Sequence, residues 1–211
     1  MDFLDLDFPR GYHIEIWGGL GAPAYGFGFN YNSLNKYFGI EIGGYGDRVR
    51  EEVKKYYGST IGFSTRGEAV PNKNNYCEID PEKKDKYGIP VLRFNYKWSD
   101  YERKQAKHMN ETVKKIVHNI GGHMLWENNG PEHGLLTPGE VIHEVGTTRM
   151  GNDPNTSVVN EYEQLHDSKN VFIVDGGPFV SQADKNPTWT ILALAMRSSE
   201  HIVEEFKKQN F

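Results

Sequence analysis

The sequence predicts an α+β fold, a mostly antiparallel sheet packed by helices. Three observations carry that prediction. Short segments with strand-like alternation follow one another closely between Tyr12 and Tyr96, joined by turns, as in an antiparallel sheet. A long amphipathic run after Ser99 and a second helical run after Asn186 supply the helices. Between them a continuous apolar stretch, Asn170-Val171-Phe172-Ile173-Val174-Asp175, ends in Gly176-Gly177 and reads as a strand buried on both faces.

In chain order, Tyr12-His13-Ile14-Glu15-Ile16-Trp17 alternates, with Tyr12, Ile14 and Ile16 on one face and His13, Glu15 and Trp17 on the other. Gly19-x-Gly21-x-x-Ala24 matches a short dinucleotide fingerprint after that strand. The fingerprint needs a helix N-terminus to hold a pyrophosphate, and Pro23-Ala24-Tyr25-Gly26-Phe27 does not start one, so no phosphate loop is expected. Tyr45 to Tyr57 reads as a short helix with Asp47 as N-cap, Gly58 as stop, and Val49, Val53 and Tyr56 on one face. Strands are expected over Ser59–Thr65, Tyr76–Ile79 and Ile89–Tyr96, with Asp80 to Asp85 as a charged turn. Ser99 and Glu102 fit a capping box for a helix whose apolar face is Ala106, Met109, Val113, Ile116, Val117 and Ile120, ended by Gly121-Gly122. That face is expected to pack against the sheet. The last helix is expected to start with Asn186 as N-cap and Pro187 at its first position. Its first half, with Ile191, Leu192, Ala193, Leu194, Ala195 and Met196, reads as buried all round.

Bulk properties narrow the function classes. The 211 residues suffice for one sizeable core or two small lobes. A net charge of −5 and a pI near 5.9 argue against nucleic acid or an anionic membrane as the main partner. No apolar run approaches the ~20 residues that span a bilayer. The start is acidic and carries no signal-peptide core, and Cys77 is the single cysteine, so a reducing, cytoplasmic setting is expected. His108, His118, His123 and His133 lack ligand spacing, and no metal site is expected from them.

Two segments concentrate the chemistry. One is Ile142-His143-Glu144-Val145-Gly146-Thr147-Thr148-Arg149-Met150-Gly151. The other is Val174-Asp175-Gly176-Gly177, followed by Asn186-Pro187-Thr188-Trp189-Thr190. Taken singly, Asn186 is an N-cap, His143 a structural histidine and Asp175 a turn residue. An anionic or electron-rich ligand is expected at the helix start, where free N–H groups and the positive dipole end lie.

In order and spacing, His143 to Gly151, Asp153-Pro154, Ser157-Val158-Val159-Asn160, Asn170 to Gly176, Asn186 to Ile191 and Ala193-Leu194-Ala195 resemble the C-terminal domain of the glucose–methanol–choline (GMC) oxidoreductases. These are flavin-dependent alcohol oxidases and dehydrogenases. The H-x-x-G-T-x-R-M-G form is similar to the branch near pyranose oxidase and bacterial sugar dehydrogenases. Arg66-Gly67-Glu68-x-x-Pro71 and Lys84-Asp85-x-x-Gly88-Ile89-Pro90-Val91 resemble the family's substrate-domain sheet with less specificity.

The resemblance implies a substrate domain over residues 1–140 and a catalytic, FAD-contacting segment over 141–211. It implies that His143 takes the hydroxyl proton of a sugar or other alcohol, and that Asn186 hydrogen-bonds the substrate oxygen. Asp175 and Gly176 would follow the phosphate and ribityl part of FAD, and Pro187 and Thr188 its pyrimidine edge. The chemistry is apt: imidazole is a base suited to neutral pH, and a helix N-terminus stabilises negative charge on a flavin. A complete family member opens with a strand–GxGxxG–helix unit. This chain is therefore expected to be the C-terminal part of such an enzyme, with the FAD-binding α/β lobe supplied in cis or in trans. The alternative is a catalytically silent module that binds a sugar or a partner through aromatics such as Trp17, Tyr25, Phe27, Trp98 and Trp189.

Overall fold

The computed structural model describes residues 6–18, 46–56, 61–124, 127, 130, 132–140 and 143–210. Its elements are β1 (Tyr12–Gly18), α1 (Asp47–Tyr56), β2 (Ile61–Gly67), β3 (Tyr76–Lys84), β4 (Pro90–Asn95), α2 (Asp100–Asn119) and α3 (Thr188–Lys207). The strands form two-stranded sheets, β1 with β2 and β3 with β4, so the α+β expectation holds. The short Gly19 fingerprint and the Gly58 stop lie outside the described residues. The chain divides into two compact units. One comprises Met1–Gly11, Gly67–Glu102 and Leu136–Phe211, and the other Tyr12–Arg66 and Arg103–Leu135.

In the second unit, β1 and β2 run antiparallel: Glu15 lies beside Arg66 at one end and Gly62 opposite Trp17 at the other. Most of α2 belongs here. Ala106, Met109, Val113 and Val117 recur at helical spacing and are all buried. Ile120, expected on the same face, is 60% exposed, because the helix has ended by Asn119. Gly121 stops it with φ +72°, and Gly122 N–H donates to Val117 O at 2.9 Å. His108 is part of the packing: Tyr12 Oη lies 2.8 Å from its Nδ1 and 3.1 Å from Thr112 Oγ1.

In the first unit, the capping box forms as expected. Ser99 N–H donates to Glu102 Oε2 at 2.7 Å, and Tyr101 N–H to Ser99 Oγ at 3.2 Å. Glu102 is itself buried, and its Oε1 accepts Val70 N–H at 2.8 Å, so the cap also ties down the chain after β2. The β3–β4 hairpin corrects the expected charged turn. β3 runs on through Asp80 to Lys84 with an irregularity: from Ile79↔Leu92 to Lys84↔Pro90 it spends five residues against two on β4. Pro81, which has no N–H to donate, sits in that excess. The reversal comes later, where Asp85 Oδ1 accepts Tyr87 N–H and Ile89 N–H and Gly88 adopts φ +83°.

Residues 170–175 do not form the expected buried strand. Among the described residues the stretch makes one isolated bridge, Gln164↔Phe172, and Val171 and Val174 are 41% and 47% exposed. A strand buried on both faces needs ladder partners on either side and cover above and below. α3 is likewise covered on one face only. Ser198 is fully buried, with Ile191, Leu194, Ala195, His201 and Ile202 half-buried around it. Leu192 and Met196, expected to be buried, are 56% and 67% exposed on the opposite face.

Candidate active site

The first unit brings the two chemistry-bearing segments together through backbone. Three residues after His143, Gly146 N–H donates to Gly176 O at 3.2 Å; Thr148 N–H then donates to Gly177 O at 3.1 Å and Met150 N–H to Pro178 O at 2.9 Å. Gly146 has φ +87°, and a Cβ there would sit 3.2 Å from Phe179 O, so only glycine suits that crossing. A Cβ on Gly176 would lie 3.1 Å from Val145 Cγ1 and 3.8 Å from Ile191 Cδ1. Ile191 belongs to the first turn of α3. The histidine segment, the Asp175-Gly176-Gly177 turn and the opening of α3 therefore meet at one place.

Each predicted site residue has a definite position. His143 is half-buried at the head of the hydrogen-bonded segment. Asp175 is exposed, and its Oδ1 accepts Gly177 N–H at 2.7 Å, which fixes the shape of its own turn. Gly176 is half-buried, Pro187 is buried, and Asn186 and Thr188 are exposed. The expected cap is corrected: Pro187, at φ −82° and ψ −14°, is the N-cap, and α3 begins at Thr188. Pro187 already has helical angles, so the helix is entered without a side-chain cap bond, and Asn186 lies one residue outside it. The first turn carries no acidic residue and ends in Ile191 N–H donating to Pro187 O at 3.0 Å. Its remaining N–H groups present the positive end of the dipole beside exposed Thr188 and Thr190.

Side chains outside the two chemistry-bearing segments support this arrangement. Val159 is fully buried and bridges Met150 and Leu165. Ser198 Oγ donates to Glu163 Oε2 at 2.7 Å; both residues are fully buried, and Glu163 has φ +61°. Tyr162 stacks on His201 at 3.8 Å and 7°, and Arg197 reaches Glu161 O. Ser157 Oγ donates to Asp153 O at 2.7 Å and lies 2.9 Å from His166 Nε2, so that hydroxyl serves the loop. These partners are 4 to 39 residues apart in the chain, and no periodicity links them.

Tyr96 lies close to the histidine segment. Burial, then the charges of Glu102 and Glu144, push its phenol up to about 12. It packs edge-on against Trp98 at 5.0 Å, and Trp98 Nε1–H donates to Leu136 O at 2.9 Å.

Residues 71–195 match the model of a family described as GMC oxidoreductase. The chain is 31% identical over 199 residues to 2-methyl-1,2-propanediol dehydrogenase of Mycolicibacterium austroafricanum, covering 94% of this chain and 34% of that protein. It is 31% identical over 166 residues to the gluconate 2-dehydrogenase flavoprotein of Pantoea cypripedii, covering 78% and 27%. With pyranose 2-oxidase of Lyophyllum shimeji it shares 27% over 141 residues, covering 67% and 22%. The chain thus spans between 22% and 34% of the length of these relatives. The histidine segment, the glycine turn that it pairs with and the opening of α3 all fall inside the matched stretch, and the chain belongs to the GMC oxidoreductase family.

Proposed function

We propose that this chain is the C-terminal part of an FAD-dependent oxidoreductase that oxidises the CH–OH group of a sugar or other alcohol. The observation that carries this reading is the joining of the His143 segment to the Gly176-Gly177-Pro178 turn by three backbone hydrogen bonds, with Ile191 of the first turn of α3 beside Gly176. Family membership supports the reaction class, and the names of relatives that are alcohol and sugar dehydrogenases support the substrate class. Residues 141–211 supply the catalytic and flavin-contacting segment, and residues 1–140 the substrate domain.

The residues present fit a flavin. An exposed helix start with no acidic side chain in its first turn suits the electron-rich pyrimidine edge, with Pro187 and Thr188 beside it. Asp175, exposed beside the half-buried Gly176, suits the phosphate and ribityl portion. FAD held by these residues would supply the acceptor for the hydride from the alcohol carbon. His143 takes the hydroxyl proton on its imidazole. Asn186 hydrogen-bonds the substrate oxygen, offering a donor and an acceptor without changing charge. The rest of the FAD site comes from an N-terminal lobe, in cis or in trans. The exposed outer face of α3 supports such a partner, as does the share of its relatives' length that the chain spans. None of the described helices is long and apolar enough to cross a membrane, and the single cysteine fits the cytoplasm.

The test is His143→Ala in the complete flavoenzyme. The bound flavin should stay, while its reduction by the alcohol, followed by stopped-flow absorbance, slows by roughly 100- to 10,000-fold. Unchanged reduction removes His143 as the base.

A further inference from the structure

The loop that leads into α3 carries a polar side chain with no part in the site described above. Residues 180–186 belong to no helix or strand. Within them Gln182 Nε2–H donates to Lys185 O at 2.8 Å and closes a turn over Ala183 and Asp184. Lys185 is exposed, but the amide that holds it is not. Gln182 is half-buried, and its Oε1 is buried with no hydrogen bond among the described residues. Turning the amide over would set oxygen against oxygen, so the Lys185 carbonyl fixes which end faces it. The Lys185 side chain turns back to Asp184, with Nζ 2.5 Å from Oδ2. Its ammonium is largely exposed, so that pair does little to fix the loop.

We infer that Gln182 is the positioning residue of Asn186; the inference rests on the reading in which Asn186 hydrogen-bonds the substrate oxygen. The peptide group is planar, so fixing the direction of Lys185 O also fixes the N–H and Cα of Asn186. Pro187 follows at φ −82°, and a proline biases the residue before it toward extended backbone. The peptide before Asn186 and the ring after it together set the direction of its Cα–Cβ bond, from which the carboxamide extends. Asn186 is exposed, which leaves its aim dependent on this backbone. A misplacement of about 1 Å in a group that orients substrate costs up to about 100-fold in rate, the scale on which such a constraint counts.

The test has two arms. In the 211-residue chain without flavin, the 13C shift of the Lys185 carbonyl reports its hydrogen bond. Gln182→Met keeps the side-chain length and removes the donor, and Gln182→Glu keeps the shape and replaces the donor by an acceptor. Each should move the Lys185 carbonyl and Asn186 amide resonances and leave the β3 and β4 amides in place, which shows that the variant is folded. In the complete flavoenzyme the probe is the fastest reductant among 2-methyl-1,2-propanediol, D-gluconate and D-fructose. Each variant should slow flavin reduction at saturating probe by roughly 10- to 100-fold with flavin content unchanged. In an Asn186→Ala background the same change should cost less than about twofold, because the residue it positions has lost its carboxamide. Equal losses in both backgrounds mean a merely structural role and overturn the inference, as does an unmoved Lys185 carbonyl. An enzyme that none of the three probes reduces, or Asn186→Ala reduced as fast as the native enzyme, overturns the reading beneath it; the carbonyl shift tells the two failures apart.

Discussion

Gly177 shows how closely the two site segments are fitted. It is buried, and a Cβ there would overlap Thr148 Oγ1 and come within 2.8 Å of Asp175 Oδ1, the oxygen that accepts its own N–H. Thr148 Oγ1 is buried and makes no hydrogen bond among the described residues, so the hydroxyl is present at a cost and leaves no slack. Gly177→Ala should destabilise the first unit by about 1–3 kcal/mol, the usual range for overpacking a tight site. Thermal unfolding checks it, at about 2–4 °C of midpoint per kcal/mol for a chain of this size. Adding Thr148→Ala removes the overlapping oxygen and should recover part of the loss. If the double variant loses the sum of the two single effects, the contact is not the cause. At this scale the sequence shows the glycines as a motif but not what they touch. Thr148 and Gly177 are 29 positions apart, and only the fold sets their separation.

Among the elements, the β3–β4 hairpin carries a pH response. Backbone N–H groups of Lys83 and Glu82 donate to Asp80 Oδ1 at 2.8 and 2.9 Å. These bonds, Lys83 first, hold the Asp80 carboxyl below the ordinary carboxylate range, and Arg93 adds to the effect. A depressed carboxyl stabilises the fold above its unfolded pKa of about 4, and that contribution disappears as pH falls through the folded value. Asp80→Asn keeps an oxygen acceptor and removes the charge. Urea unfolding midpoints measured from pH 7 down to about pH 2 should fall more steeply below pH 4 in the native chain than in Asp80→Asn. Parallel acid slopes would exclude Asp80 as a source of the response; Asp153, lowered by Asn155, contributes to both chains alike. Elements set by local rules were legible in advance: the capping box of Ser99 and Glu102, the apolar stripe of α2 as far as Val117 and the strand β1 appear as read, while Ile120 and Ile16 are exposed. Elements whose character depends on distant partners were not. Residues 170–175 have the composition of a central strand but meet one bridge partner, and Asp80 to Lys84 has the charge of a turn but continues β3.

For the whole molecule, the decisive feature is the outer face of α3. Trp189, Leu192, Met196, Val203 and Phe206 fall along one side of the helix and are 84%, 56%, 67%, 52% and 74% exposed. Val171 and Val174 add exposed apolar area in the same unit. Five large apolar side chains in one line exceed what scattered surface hydrophobics account for, and under the proposed function they form the surface that the N-terminal lobe would cover. On that proposal the all-round apolar sequence of α3 answers to the lobe as well as to this chain; here the outer face is exposed, and reading the helix as buried fails on that face alone. The same helix starts at the proposed flavin site, so on that proposal covering its flank and completing that site would be one event. The chain alone is expected to purify without stoichiometric FAD and to bind a hydrophobic dye. Co-expression with an N-terminal strand–GxGxxG–helix lobe should bring flavin retention and suppress the dye signal. Met196→Glu, on the exposed stripe, should leave the thermal midpoint of the chain alone nearly unchanged, within about 0.5 kcal/mol for a surface position. In the co-expressed assembly it should cut flavin retention at least about tenfold, as a carboxylate buried without a partner costs more than 1.4 kcal/mol. A yellow chain carrying one FAD on its own, or full retention with Met196→Glu, would show that this face is not where the proposed N-terminal lobe docks.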